Sequence, residues 1–270
     1  MTRILDNLDI LKKLVQRKPF GLITDLDGTI SPIPQNFLKK KIPPSTVRQL
    51  AMVVPHLDLV SIVSGRETKE IKEMVNIEGI KYIGHYGMEQ WDNNQAILHP
   101  NVRAYLPAIR AIAKDIEPLR SIKGLIIQDK WATISIHYHL CPRPDVAKDQ
   151  ILELLKKSPH MKNLHVMEEK TNIGIVPPLD IDKGTAVNNL ISQYHLSGAI
   201  FLGDDIGDVP AFRAIHHARE NRDFEGLAIL VTGEETRQNI ISEADFTLDG
   251  VQETDTLLKW LVVNSPVRGV

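Results

Sequence analysis

Phe20-Gly21-Leu22-Ile23-Thr24-Asp25-Leu26-Asp27-Gly28-Thr29 is the stretch on which the fold turns. Its first half is a short apolar run of the kind that forms a strand buried on both faces. Its second half sets two carboxylates two residues apart, and residues i and i+2 of an extended chain point to one side. Gly28 follows, so the chain can turn sharply just after the carboxylates.

Working outward, the same grammar repeats. Leu57 to Val63 is a second apolar strand, ending at Ser64-Gly65-Arg66, with a helix over 67–76 behind it. Lys81-Tyr82-Ile83 is a third, ending at Gly84-His85-Tyr86-Gly87. Upstream, Ile4, Leu5, Leu8, Leu11 and Leu14 have helical spacing over 4–17, stopped by Pro19. Residues 45–55 form a further helix with Ser45 as its expected N-cap. The segment 31–44 holds four prolines and Lys39-Lys40-Lys41 and reads as a solvated loop. Near the C-terminal end, Lys183-Gly184-Thr185 opens a helix to Tyr194. Ala199-Ile200-Phe201-Leu202 is a strand running into Gly203-Asp204-Asp205, and a helix covers 209–217. A strand at Leu227 to Val231 and a helix at 253–263 complete the pattern. Strand-then-helix alternation predicts an α/β fold with a parallel sheet, whose reactive groups gather at the carboxyl ends of the strands.

The middle departs from this order. A helix over 103–120, a hairpin of Leu125-Ile126-Ile127 and Thr133 to Tyr138, a helix over 145–157 and strand over 164–176 make an α+β unit. We therefore expect a core from 1–100 and 181–270, with an inserted α+β domain at 101–180.

Composition narrows the function classes. The 270 residues carry 32 basic and 34 acidic side chains, a net charge of −2, which argues against a general nucleic-acid binder. No run approaches the ~18 apolar residues of a membrane span, so no membrane partner is expected. Cys141 is alone, so no disulfide framework exists, which is compatible with a reducing cytoplasm. The oligomeric state is open, and a monomer is compatible with everything read.

Asp25 and Asp27 at one strand end, and Asp204, Asp205 and Asp208 at another, would repel one another unless a cation sat among them. Mg²⁺ prefers such oxygen ligands and commonly shares them with a phosphate. Ser64 is a hydroxyl donor before a glycine and a helix, and Lys183 is a cation near a helix N-terminus. Both suit a phosphate clamp. His137 and His139 alternate on one strand and are weighed as a metal pair, although no third ligand is evident. His216-His217 are read as ending a helix. Trp91, Trp131 and Trp260 are read as packing residues, with Trp131 beside Lys130 alternatively lining a sugar site.

In this order the motifs resemble the haloacid-dehalogenase (HAD) superfamily of phosphohydrolases. Asp25-Leu26-Asp27-Gly28-Thr29, Ser64, Lys183 and Gly203-Asp204-Asp205-Ile206-Gly207-Asp208 stand where its four motifs stand. A narrower resemblance is to trehalose-6-phosphate phosphatases. It is carried by the stretch from Asp25 to Ile33, Ser64-Gly65-Arg66, Gly84-His85-Tyr86-Gly87-Met88-Glu89, Lys130 with His137-Tyr138, Asp182 to Val187, and Val231 to Leu261. The resemblance implies a Rossmann-like core with a C2-type cap for substrate recognition, and Mg²⁺-dependent removal of phosphate from a sugar phosphate. It implies Asp25 as nucleophile and Asp27 as acid and base. Mg²⁺ would be held by Asp25, the Asp27 carbonyl and Asp204, with Asp208 in support. Gly65, Arg66, Lys130, His137 and Asp205 are the implied substrate contacts.

The departures concentrate where the sugar would be read. The family's Glu-Asn-Lys is Gln128-Asp129-Lys130, the Arg of its His-Tyr-Arg is His139, and its Glu-X-Arg-Pro is Gly174-Ile175-Val176-Pro177. Tyr86 stands for the His of Gly-X-His-Gly. Trehalose 6-phosphate is the first expectation. Sucrose, glucosylglycerol and glycosylglycerate phosphates are alternatives, with a phosphomutase or a non-catalytic sugar-phosphate sensor behind them.

Overall fold

In the computed structural model, residues 2–32, 42–168, 172–221, 223–233, 236 and 238–267 are described. The Lys39-Lys40-Lys41 run lies outside them. Two compact units divide the chain: Met1–Ile97 with Ile181–Val270, and Leu98–Asp180.

The larger unit is built on β1 (Phe20–Thr24), β2 (Leu59–Val63), β3 (Ile80–Gly84), β4 (Glu89–Asp92) and β5 (Gln95–Leu98), joined by later strands of the same chain. The smaller unit contributes β6 (Ile126–Asp129), β7 (Ile134–His137), β8 (His165–Glu168) and β9 (Asn172–Val176). The chain then returns to the larger unit with β10 (Gly198–Gly203), β11 (Glu225–Thr232) and β12 (Phe246–Asp249). The large sheet has the order β12-β11-β10-β1-β2-β3-β4-β5, parallel from β12 to β3. β4 runs antiparallel to β3.

Helices cover both faces of this sheet. α1 (Leu8–Leu14), α2 (Pro44–Val53) and α3 (Thr68–Val75) belong to one face. α4 (Leu106–Asp115) and α5 (Pro144–Lys157) belong to the smaller unit. α6 (Lys183–Gln193), α7 (Val209–Asn221), α8 (Gln238–Ile241) and α9 (Gly250–Asn264) complete the larger one. The strand period of two divides the core. Leu22, Val60, Ile62, Ile200 and Ile229 pack with α1, α2, α3 and α9. Ile23, Leu59, Val63, Phe201 and Leu230 pack with α6, α7 and α8.

β1 lies between β2 and β10, so the connections leave it in opposite directions. That is the topological switch point of a doubly wound sheet, where a crevice opens beyond the carboxyl ends. Thr24 pairs in register with Leu202 on one side and Ile62 on the other. The segments that begin at Asp25, Ser64 and Asp204 therefore emerge at one edge.

The smaller unit is an antiparallel sheet, β6-β7-β9-β8. Ile134, Ile136, Ile173 and Ile175 point to one face and form a core with Ile109, Ile112, Ile151 and Leu155 of α4 and α5. The register Gln128↔Ser135, Ser135↔Gly174 and His137↔Asn172 puts these polar residues together on the opposite face.

Several expectations need correction. The helix over 4–17 is a 3₁₀ turn, Ile4–Asp6, followed by the shorter α1. Ser45 lies inside α2, whose N-cap is Pro43. The helix over 103–120 is interrupted: 3₁₀ turns at Pro100–Tyr105 and Glu117–Ser121 flank α4, because Pro107 and Pro118 cannot donate to a continuous ladder. α7 continues to Asn221, so His216 and His217 lie within it rather than at its end. β4, β5 and β12 are additional. Trp91 and Trp260 pack against the core, whereas Trp131 is 56% exposed with a left-handed φ of 64°, so it is not a packing residue.

Candidate active site

Asp25 follows β1, and its N–H donates to the carbonyl of Leu202 at 2.8 Å, continuing the β1–β10 ladder. The chain then turns: the Gly28 N–H donates to the Ser31 carbonyl at 2.6 Å, and Leu26 accepts from Ile30 and Ser31. Gly28 has a φ of +84°, and a Cβ there would lie 2.1 Å from Oδ2 of Asp204. The glycine thus lets the two acidic segments approach.

Lys183 is the first residue of α6, whose start is fixed by a reciprocal cap between Asp182 and Thr185. Its buried Nζ donates to Oδ1 of Asp25 and Oδ1 of Asp208, each at 2.7 Å. Asp208 is fully buried, and its other oxygen accepts the N–H groups of Asp204 and Asp205 at 2.9 and 3.1 Å. A Cβ on Gly203 would strike Asp208 Cγ at 2.4 Å, so the small residue is needed for this loop to fold back. Asp208 therefore fixes both Lys183 and the loop that carries Asp204.

Carboxylate oxygens of Asp25, Asp204 and Asp208 all lie within 4.8 Å of one another, and all three residues are buried. Burial, opposed by Lys183 and reinforced by the charges of Asp208 and Asp27, pushes the Asp25 carboxyl up to about 7. Burial works to lower the Lys183 ammonium, but Asp208 and Asp25 outweigh it and raise it. The cluster thus carries more negative charge than one lysine balances comfortably. An all-oxygen set of this kind fits a hard divalent cation.

The family model described as trehalose-phosphatase matches residues 23–252. The chain belongs to the trehalose-phosphatase family. The trehalose-phosphate phosphatase of Mycobacterium leprae (strain TN) is 28% identical over 260 residues, covering 91% of this chain and 58% of that protein. Probable trehalose-phosphate phosphatase D of Arabidopsis thaliana is 25% identical over 232 residues, covering 80% and 60%. The chain thus spans about 60% of the length of these relatives. The C-terminal domain of C. albicans trehalose-6-phosphate phosphatase superimposes with a TM-score of 0.79 at 19% identity, covering 95% of this chain and 97% of that one. A HAD subclass IIB sugar phosphatase gives a TM-score of 0.54 at 14% identity, covering 89% and 98%. At these identities the structural matches show the fold alone, an α/β core with an inserted α+β unit.

Within this trehalose-phosphatase family chain, the remaining candidates take distinct places. Ser64 is buried one residue beyond β2, and its Oγ accepts the Arg66 N–H at 3.3 Å. Arg66 is 4% exposed and turns to Asp27, donating from Nε to Oδ2 at 2.6 Å and from Nη2 to Oδ1 at 3.0 Å. Asp205 accepts the Ile206 N–H at 2.7 Å and caps the turn Ile206–Asp208. Lys130 and His137 belong to the smaller unit. Both are buried, and His137 Nε2 hydrogen-bonds Gln128 Oε1 at 3.0 Å. Gln128 and Gly174, two of the departing positions, share the His137 face. His139 lies beyond the end of β7, its ring centroid 6.4 Å from that of His137. Among the described residues the metal-competent carboxylate group is the aspartate cluster, and the histidine pair joins no such group.

The supports of this loop escaped the sequence reading. His85 and Tyr86 both have positive φ, and their N–H groups donate to the carbonyls of Arg66 and Ser64 at 2.8 and 3.0 Å. The Tyr86 ring covers Gly65, where a Cβ would lie 2.5 Å from it. Glu89 is buried and accepts the N–H and Oγ1–H of Thr68, at 2.6 and 2.7 Å, at the start of α3. The signal was the Gly84-to-Glu89 motif, whose residues hold the Ser64-Gly65-Arg66 loop and the start of α3.

Proposed function

We propose that this chain is a Mg²⁺-dependent phosphatase that removes phosphate from a sugar phosphate, trehalose 6-phosphate first among them, through an aspartyl-phosphate on Asp25. The observation that carries this is the buried Asp25 carboxylate, held by Lys183 and flanked by Asp27, Asp204 and Asp208 at the switch point of the large sheet. Asp25, Asp204 and the Asp27 carbonyl are the residues that would hold the cation, with Asp208 behind them. When bound, Mg²⁺ supplies positive charge that offsets the phosphoryl oxygens and favours the ionised form of Asp25.

The residues then divide the work. Asp25 attacks phosphorus; an Asp25 O–P bond forms as the bond from phosphorus to the sugar oxygen breaks. Asp27 gives its proton to that leaving oxygen, then takes one from the water that attacks the intermediate. Phosphate departs and both carboxyls return to their starting states. Lys183 and the Ser64 hydroxyl donate to phosphoryl oxygens, the positioning and charge neutralisation such a transfer chiefly needs. The inserted unit supplies sugar recognition through Lys130, His137 and the Gln128–Gly174 face, while Gly65 and Asp205 are the contacts proposed on the larger unit.

A second reading, another glycosyl phosphate as substrate, is favoured by one observation. The polar face of the small sheet carries Gln128, Ser135, His137 and Asn172, while the Glu and Arg of the Glu-X-Arg-Pro pattern are Gly174 and Val176. A site that reads hydroxyls through buried polar contacts discriminates strongly by those contacts. A cytoplasmic setting belongs to the same proposal: Cys141 is free and buried, and no described helix is long and apolar enough to cross a membrane. The test is phosphate release across a panel of disaccharide and glycoside phosphates with Mg²⁺, using the Asp25→Asn protein as blank. A strong preference for trehalose 6-phosphate supports the first reading, and a preference for another glycoside phosphate selects the second. Absence of release from every member above the blank overturns both.

A further inference from the structure

Arg66 stands in the motif where a substrate contact was expected, yet its guanidinium is committed elsewhere. It meets Asp27 fork to fork through Nε and Nη2, while Nη1 is paired to Glu70, four residues along on α3. Its carbonyl is also fixed, by the His85 N–H, and a Cβ on Gly84 would lie 2.5 Å from that carbonyl. The side chain is 4% exposed, and three of its five N–H groups are taken up by the Asp27 and Glu70 carboxylates. A bidentate guanidinium–carboxylate pair sets the plane and direction of the carboxylate, because both partners are planar and two parallel bonds remove rotation. The fork holds the ionised form of Asp27 that serves as base, and as acid Asp27 takes up a proton on one oxygen while the other keeps its bond to Arg66.

We infer that Arg66, braced by Glu70, is a positioning residue that aims the Asp27 carboxyl at the leaving-group oxygen. The inference deepens the proposed phosphatase reading and rests on Asp27 being its acid and base. Arg66 touches no reacting atom in this account. It acts through Asp27, and Glu70 acts through Arg66. The motif Ser64-Gly65-Arg66 thus serves two ends: Ser64 faces the phosphoryl group, and Arg66 faces the proton donor.

A positioning role has a signature that a merely structural role lacks. A sugar alkoxide needs a proton to leave, whereas nitrophenolate leaves without one. The ratio kcat/KM covers the steps up to departure of the leaving group. Arg66→Met is therefore expected to lower kcat/KM for the best alkyl phosphate by about 10²-fold, the size of a general-acid contribution, and by at least about tenfold less for p-nitrophenyl phosphate. Equal losses on both would assign Arg66 to phosphate binding or to folding and overturn the inference. Glu70→Gln, on the partly exposed flank of α3, keeps the guanidinium in place with a weaker brace. It should show the same pattern, severalfold, at an unchanged thermal midpoint.

The mutant cycle is the second arm. In an Asp27→Asn background, Arg66→Met should cost nothing further, since its effect runs through Asp27. Multiplicative losses would show independent roles and contradict the inference. Should the wild-type chain hydrolyse p-nitrophenyl phosphate but no alkyl phosphate, the sugar-phosphate reading fails on its own. The cycle is then read on kcat for p-nitrophenyl phosphate, whose hydrolytic step still uses Asp27 as base. Without any turnover, the Arg66 Nε–H resonance reports the pairing. Protection in the wild type that is lost in Asp27→Asn supports the contact, and indifference to Asp27→Asn refutes it.

Discussion

Replacing Gly28 by alanine separates what the turn contributes to stability from what it contributes to the site. The added methyl meets two costs. The first is local: a φ of +84° suits glycine, and a residue with a Cβ pays about 1–2 kcal/mol there. At about 2–4 °C per kcal/mol for a chain of this size class, the thermal midpoint should fall by roughly 2–8 °C. The second cost falls on Asp204. The methyl would sit 2.1 Å from Oδ2, and the two atoms must separate by about 1.3 Å to reach ordinary contact at 3.4 Å. A carboxylate end can move that far, so the fold survives. A displacement of about 1 Å at a reacting centre costs on the order of 10²-fold in rate. The assay pairs thermal melting with phosphate release over a Mg²⁺ titration. Gly79→Ala is the control, with the same φ of +84° but a Cβ facing Val54. Both variants should melt earlier, and Gly28→Ala alone should lose about 10²-fold in kcat with a weakened Mg²⁺ half-saturation. Equal kcat values in the two variants would refute the placement of Asp204 in the working site.

Three further outcomes follow from the same geometry. Lys183→Met removes the cation between Asp25 and Asp208, and leaving buried charges unpaired should cost about 3–5 kcal/mol in denaturant titration at neutral pH, with turnover lost; an unchanged midpoint would count against the ion triad. In excess chelator, stability should fall as pH rises from about 4 to about 7, because the folded Asp25 carboxyl, raised from 3.8 to about 7, keeps a proton that the unfolded chain has released. That contribution has a ceiling of about 4 kcal/mol, and Asp25→Asn should flatten the slope in this window. Glu89→Gln weakens two charge-assisted bonds at the start of α3 and should lower stability by about 1–3 kcal/mol in urea unfolding, whereas no change would detach Glu89 from the loop's support.

Legibility from sequence followed burial. β1, β2 and β10 are buried at every position, and their largely apolar runs announced them. The clustered aspartates, Ser64 and Lys183 were visible because each abuts such a run or opens a helix behind one. β4 and β5 escaped because they form the edge of the sheet, where Gln90 and Asp92 are polar and partly exposed and Gln95 is exposed. The turn between them, Asn93-Asn94 with both φ values positive, was the cue that went unused. β12 is four residues long, too short for alternation to show. Arg66 was read as a ligand contact because sequence lists donors without partners. The partners the structure gives it, Asp27 and Glu70, come from another strand end and from the next helix turn. Glu89 and Tyr86 were opaque for the same reason: their work is on the neighbouring β2 loop, reached only once β3 turns back antiparallel.

The central claim is a covalent phosphoryl group on Asp25, and trapping it is the most direct test. The wild-type protein, turning over a ³²P-labelled sugar phosphate with Mg²⁺, is quenched in acid and digested, and the peptides are mapped. Label confined to the peptide spanning Asp25, lost on mild alkaline treatment and absent from Asp25→Asn, is the predicted result. Label on another residue, or phosphate release by Asp25→Asn at the wild-type rate, would contradict the account.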